Sequence, residues 1–233
     1  MIRLKDVSLR LGSADHTSSV QFHLPSFEVA VGEAVALTGP SGCGKSTLLN
    51  LIAGLRRADE GEVRVAVVNL SSLSAAKLDL HRGTHCGMVF QSFHLLAPFT
   101  AVENVAIGLR FGARKRSNAL ERSTEVLVRV GLGKRLHARP DELSVGERQR
   151  VAIARAIVGG ASILLADEPT GSFDPDTGRD IFTLLSKVAA EDERTFLMVT
   201  HDPALAAELP SKFDCSGLIH SARIPSGKEG GSQ

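Results

Sequence analysis

Apolar and polar residues alternate along residues 2–11 and again along 20–30. A period of two predicts two strands of an antiparallel sheet, each with one face toward a core. The polar stretch Gly12 to Ser19 between them reads as a loop, and Gly32-Glu33 as a turn. Ala34 to Leu37 is then an unbroken apolar run of strand length, followed by a helix-like run from Thr47 to Ala53. Past Gly61 the pattern predicts a strand over Glu62 to Val68 and a short helix over Ser74 to Leu80. Met88-Val89-Phe90 reads as a further strand, ending in the polar Gln91.

The texture changes near Ala101. As far as Val158 the chain reads as helices broken by Gly and Pro, the best segments being Val102 to Arg110, Asn118 to Val130 and Val145 to Val158. Alternation then resumes: strand 162–167, helix 176–190, strand 195–200, helix 203–208, strand 213–219. Apolar strands separated by helices imply a parallel sheet covered on both faces. The expected fold class is α/β, a core with a mainly parallel sheet and an N-terminal antiparallel β subdomain. A helical subdomain over about 93–158 is inserted in that core. Residues 1–222 are expected to form a single domain, and the Gly-, Ser- and Lys-rich end from Arg223 to Gln233 a flexible tail.

Composition narrows the partners. The 233 residues suit one large domain or a core with an insertion. Lys and Arg number 27 against 26 Asp and Glu, so nothing favours a polyanion and no nucleic-acid partner is expected. The densest basic cluster, Arg110 with Arg114-Lys115-Arg116, is either a solvated edge or a contact for anionic lipid headgroups. Three widely spaced cysteines suit a reducing cytosol and lack metal-site spacing. Residues after Met1 alternate as a strand does, unlike a signal peptide. No run reaches the roughly 18 apolar residues of a membrane span, because Val151 to Ala166 is interrupted by Arg155 and two glycines. A soluble protein is expected, with any membrane role arising through a partner.

Between the apolar run and the first helix lies Gly39-Pro40-Ser41-Gly42-Cys43-Gly44-Lys45-Ser46-Thr47. Strand, Gly-rich loop and helix in that order are the context of a phosphate-binding P-loop, so the core reads as that of a P-loop NTPase. The glycines let successive N–H groups turn toward one anion, and the new helix adds its positive end. Lys45 supplies a charge for the β- and γ-phosphates, and the Ser46 hydroxyl is placed to ligate Mg²⁺. Cys43, inside this loop, is either a reactive thiolate favoured by those N–H groups and Lys45, or an inert small filler.

Ile163-Leu164-Leu165-Ala166-Asp167-Glu168 is an apolar strand ending in two carboxylates. Ligands of open α/β sheets sit beyond the carboxyl ends of strands, which is where these two fall. Asp167 suits a Mg²⁺ shell, and Glu168 can orient or deprotonate an attacking water. Leu143-Ser144-Val145-Gly146-Glu147-Arg148-Gln149-Arg150 opens the helix upstream. Ser144 with Glu147 is a capping box, yet a helix start exposing the Ser144 hydroxyl and Gly146 N–H is equally an anion site. Residue chemistry alone leaves both readings open.

Leu143 to Arg150, with Val151-Ala152-Ile153-Ala154-Arg155-Ala156 behind it, resembles the signature motif of the ABC ATPases. The order also matches over roughly residues 2 to 220: P-loop, Gln91, signature, Asp167-Glu168, Ser172-Phe173-Asp174, then His201. Phe90-Gln91 with Leu95-Leu96, Thr100 to Val105, and Ala166 to Gly171 resemble the ATPase subunits of lipoprotein-release, macrolide-export and cell-division-type complexes. The resemblance implies an ATP- and Mg²⁺-dependent hydrolase that forms a head-to-tail homodimer over two nucleotides. It would power a separate transmembrane permease subunit from the cytoplasmic face of the membrane. Gln91 would touch Mg²⁺ or water, Ser144 and Gly146 would contact the γ-phosphate on the opposite subunit, and Asp174 would lie near the subunit interface. His201 would hold the γ-phosphate and Glu168 in register; without the family it is equally an ordinary strand-end histidine.

Four positions depart from the family pattern: Val145 for glycine, Glu147 where glutamine is frequent, Phe173 for leucine, and Leu11 where an aromatic usually stacks on adenine. With no Tyr or Trp in the chain, Leu11 is the expected base contact, Phe22 on the neighbouring strand being the alternative. Two rivals are a soluble ATPase of DNA repair or translation and a nucleotide-binding regulator without catalysis. The first usually carries coiled-coil inserts, zinc sites or a tandem domain; Lys45, Asp167, Glu168 and His201 together argue against the second.

Overall fold

The computed structural model describes residues 1–12, 19–110, 118–171 and 173–222. Most of the predicted loop Gly12 to Ser19, the basic Arg114-Lys115-Arg116, Ser172 and the tail from Arg223 lie outside the described residues.

Strands β1 (Ile2–Gly12) and β2 (Ser19–Val29) pair antiparallel with Ile2 opposite Val29, Leu4 opposite Phe27, Val7 opposite Leu24 and Leu9 opposite Phe22. This register places apolar against apolar on one face, and all eight side chains are buried. The step from Leu4 to Val7 breaks the alternation at Asp6, whose φ is 50°, where the pairing with β4 (Glu60–Val65) also shifts register. Gly61 makes that bulge possible: a Cβ there would lie 2.3 Å from the Asp6 carbonyl oxygen.

The expected strand Glu62 to Val68 is instead a hairpin. Ala66 and Val67, both at positive φ, turn β4 into β5 (Val68–Asn69), with Val65 opposite Val68. Such turns are normally announced by Asn or Gly, and Ala-Val gives no such signal.

The second sheet is parallel, in the order β6 (Cys86–Phe90), β7 (Ile163–Asp167), β8 (Thr195–Val199), β3 (Ala34–Thr38), β9 (Ser211–Asp214). The period of two divides its side chains between two cores. Ile163, Leu165, Leu197 and Val199 join the antiparallel sheet and α1 (Lys45–Ile52) on one side. Leu164, Ala166, Phe196 and Met198 join the helical side, α3 (Ala101–Ile107), α4 (Ala119–Arg129), α5 (Val145–Ile157) and α6 (Pro175–Glu191). Helix α2 (Ala75–His85) precedes β6 and runs past the predicted Leu80, while α7 (Pro203–Glu208) links β8 to β9.

The expected strand 213–219 also divides. β9 stays in the parallel sheet, while β10 (Ile219–Ala222) pairs with β2 in the other. Between them Asp214 accepts the Ser216 N–H at 2.8 Å, and Gly217 turns the chain at φ 87°. An Asx turn followed by a positive-φ glycine reverses direction, so the chain crosses between sheets. Among the described residues no helix is long and apolar enough to cross a membrane.

Candidate nucleotide site

The loop between β3 and α1 is shaped by three glycines at positive φ: Gly39 (130°), Gly42 (78°) and Gly44 (108°). A Cβ on Gly44 would lie 3.0 Å from the Phe22 ring, so the backbone sits directly on the antiparallel sheet's core. Gly44 is the N-cap of α1 and no side chain caps that helix. Its first N–H groups are therefore open to an anion. Lys45 is buried, with Nζ donating to the carbonyls of Gly39 and Pro40, each at 2.8 Å. Ser46 Oγ lies 3.1 Å from Asp167 Oδ1 at the end of β7. Ser41, Gly42, Gly44, Lys45, Ser46 and Thr47 line a groove of about 240 Å³, which Glu168, His201, Leu11 and Ile219 also reach.

Strand register gathers the other polar groups. Phe90 pairs with Asp167 and Asp167 with Val199, so Gln91, Glu168 and His201 all leave from the carboxyl edge of adjacent strands. His201 Nε2 lies 2.7 Å from Glu168 Oε1. Glu168 has φ 47°, a left-handed conformation costly for a side chain of its size, and its N–H donates to Val199 at 3.1 Å. Gln91 and Glu168 flank Gly171: a Cβ there would lie 3.3 Å from Gln91 Nε2 and 3.4 Å from Glu168 Oε2. Burial pushes the Asp167 carboxyl upward, and the neighbouring Glu168 charge adds to it, against the Ser46 hydrogen bond and Lys45.

The structure places Cys43 and Phe22, for which the sequence left alternatives open. Cys43 is buried, its Sγ 3.9 Å from Lys45 Nζ and packed beneath Gly39. The chain reverses at Gly42 and Gly44 on either side of it, turning the side chain into the core. The thiol therefore fills the loop from below, the place expected of a small filler. Phe22 is fully buried beneath Gly44 and unavailable to a base, whereas Leu11 is half-buried at the groove.

The signature segment lies elsewhere. Neither Ser144 nor Gly146 lines the groove that holds the P-loop. Ser144 caps α5, accepting the Glu147 N–H at 3.2 Å while Glu147 accepts the Ser144 N–H at 2.9 Å. Arg135 holds Glu147 at 3.0 Å. Ser144 and Val145 are nonetheless exposed, so the capping box and an outward-facing helix start coexist. Gly146 approaches α6, a Cβ there lying 3.3 Å from Thr177 Cγ2. Asp174 caps α6 through the Thr177 N–H at 3.0 Å, a bond that holds its carboxyl below the usual carboxylate range.

Sequence reasoning missed what ties α5 to this edge. Gln149 is fully buried and donates to the carbonyls of Pro169 (2.9 Å) and Phe90 (3.4 Å), the flanks of Glu168 and Gln91. Its phase was a usable signal: with Ala152 and Ile153 at i+3 and i+4, Gln149 falls on the buried stripe. Arg155 donates to Phe93 (2.7 Å) and His94 (2.6 Å) carbonyls, just past Gln91.

Comparison with known proteins agrees with this geometry. The sequence profile described as ABC transporter matches residues 22–171. The lipoprotein-releasing system ATP-binding protein LolD of Chromohalobacter salexigens is 49% identical over 180 residues, covering 77% of this chain and 76% of its own. LolD of Pseudomonas syringae pv. tomato is 46% identical over 182 residues, covering 78% and 80%. The dimeric post-hydrolysis structure of the ATP-binding cassette MJ0796, bound to ADP and Pi, superposes with a TM-score of 0.80 at 36% identity, over 92% of this chain and 94% of its own. With the P-loop, the carboxylate pair and the signature helix in their places, the chain belongs to the ABC transporter family, as an ATP-binding subunit.

Proposed function

We propose that the chain is the ATPase of a lipoprotein-release-type complex, hydrolysing ATP with Mg²⁺ between two copies arranged head to tail. Residues 1–222 act as one domain, the helical part being about 93–158. The observation that carries this reading is the separation just described. Lys45, Glu168 and His201 share one groove, and Ser144 and Gly146 lie outside it at the capped start of α5, where Ser144 is exposed and Gly146 half-buried. A second copy, turned around, brings its Ser144 and Gly146 to the γ-phosphate of the first.

The residues divide the work as follows. Backbone N–H groups from Gly39, Ser41, Gly42, Cys43, Gly44 and Thr47 surround the phosphates, Pro40 shaping the turn, and Lys45 leaves the Gly39 and Pro40 carbonyls to meet the β- and γ-oxygens. Ser46, Asp167 and Gln91 supply the hard oxygen donors that suit Mg²⁺, and an Asp167 disfavoured as a bare anion gains most from a cation. When bound there, Mg²⁺ neutralises charge on the phosphate oxygens. Glu168 orients a water and takes its proton as the water oxygen bonds to Pγ and the bond to the leaving oxygen of ADP breaks. His201 steadies Glu168 at 2.7 Å. Leu11 meets the base. Closing and reopening of the dimer drives a separate transmembrane permease, with the chain held on the inner face of the membrane through that partner and with no role for nucleic acid.

Phosphate release tests this. Wild type should release phosphate from MgATP and stop on chelation of Mg²⁺. Lys45→Ala should weaken ATP binding and reduce turnover about a hundredfold or more, the scale of losing one preorganised charge contact. Unchanged ATP binding and turnover in Lys45→Ala would overturn the reading.

A further inference from the structure

Three side chains from three separate segments meet beside α5. The Arg148 guanidinium carbon lies 5.5 Å from the centre of the Phe93 ring. Phe93 in turn faces Phe173, ring centres 6.3 Å apart and planes inclined by 35°. Both spacings fall within the range of cation–π and offset aromatic contacts. Arg148 Nε is buried with no hydrogen-bond partner, so the ring face is the compensation offered on that side. Arg155, two turns further along the same helix, holds the carbonyls of Phe93 and His94. The segment following Gln91 is therefore gripped by α5 at two points, one through a ring and one through backbone.

Phe173 extends this column to the turn that follows Glu168. It is half-buried against the helical core and directly precedes Asp174, the N-cap of α6. Its N–H donates to the Thr170 carbonyl in the turn after Glu168. Phe173 lines a cavity of about 600 Å³ that also reaches Glu168 and His201, and it does not line the P-loop groove. The ring thus touches the frame of the hydrolytic pair without touching the place where nucleotide binds.

We propose that Phe173 is a positioning residue for ATP hydrolysis. Stacked on Phe93 and through it on Arg148, it holds the turn after Glu168 and the segment after Gln91 in one register with α5. A leucine at this position would lack the ring face that Phe93 meets in this chain. The inference rests on the ATPase reading above and extends it to a residue outside the nucleotide groove.

Steady-state kinetics on the full chain test it with Phe173→Leu, Phe93→Leu, the double variant and Phe173→Tyr. Phe173→Leu and Phe93→Leu should each lower kcat about fivefold to tenfold, with KM for ATP within about twofold. The double variant should be no slower than Phe93→Leu, because that change already removes the contact with Phe173 along with the one to Arg148. Phe173→Tyr keeps the ring and should keep kcat within about twofold. Multiplying losses in the double variant, equal losses in Tyr and Leu variants, or unchanged kcat in Phe173→Leu would each overturn the proposal. If Lys45→Ala abolishes phosphate release while Phe173→Leu leaves it unchanged, the ATPase reading stands and this inference alone falls. A wild type that releases no phosphate overturns both.

Discussion

Leu11 and Ile219 reach the nucleotide groove from the antiparallel sheet, and the chain has no Tyr or Trp to stack on a base. Stacking on an aromatic face is worth about 1–3 kcal/mol in nucleic-acid binders, and leucine offers apolar contact only. Phosphate contacts are the same for ATP and GTP, so the two affinities should agree within about tenfold, or about 1.4 kcal/mol. Leu11→Tyr should tighten ATP. Calorimetric titration of both nucleotides checks this, and a strong ATP preference in wild type would refute it. Asp167 carries a second consequence at this scale. Its folded-state pKa is raised, chiefly by burial, so the stability it contributes is full at acid pH and is lost as pH rises through that value. In chelated, nucleotide-free buffer at pH 7, Asp167→Asn should therefore melt above wild type, the gap closing as pH falls toward the ordinary carboxylate range. A lower melting temperature for the variant at pH 7 would contradict that sign. The P-loop and carboxylate pair were legible because their spacing is local; the inward turn of Cys43 and the burial of Phe22 depend on how two sheets pack, which spacing does not encode.

Helix α5 shows how one element serves two purposes. Its capping box with Ser144 and Glu147 stabilises the helix start, worth about 1 kcal/mol by the usual cost of removing such a cap. The same start stays exposed, with Val145 presenting a side chain where the family pattern has glycine. A β-branched residue is acceptable in the first turn, yet in the proposed dimer this exposed side chain would crowd an opposing P-loop. Val145→Gly should tighten the ATP-dependent dimer of the isolated subunit despite a helix-propensity loss of about 0.5 kcal/mol. A weaker dimer by ultracentrifugation would mean that Val145 packs productively across the interface. Element boundaries were readable where periodicity was strong, as in α5 and β7. They failed at Ala66-Val67 and at Cys215 to Gly217, where turns come from positive φ and an Asx bond inside apolar-looking stretches. Arg148 and Gln149 on α5, Phe93 and Phe173 come from three separate stretches of sequence, and only the packing of α5 on the strand ends brings them together.

At the scale of the whole molecule, one copy carries a P-loop groove reached by Glu168 and His201 and, apart from it, the exposed, capped start of α5. Each half is chemically incomplete for closing over a γ-phosphate. In the proposed arrangement two copies turned around would supply both halves twice, so nucleotide would become part of the interface and hydrolysis would remove it. Glu168→Gln separates binding from chemistry, because the amide still accepts a hydrogen bond but is a poor base. Sedimentation velocity of Glu168→Gln with Mg²⁺ and ATP measures the consequence directly. The variant should sediment as a dimer with ATP and as a monomer without it. A protein that binds ATP, has lost turnover and still sediments as a monomer would contradict the account.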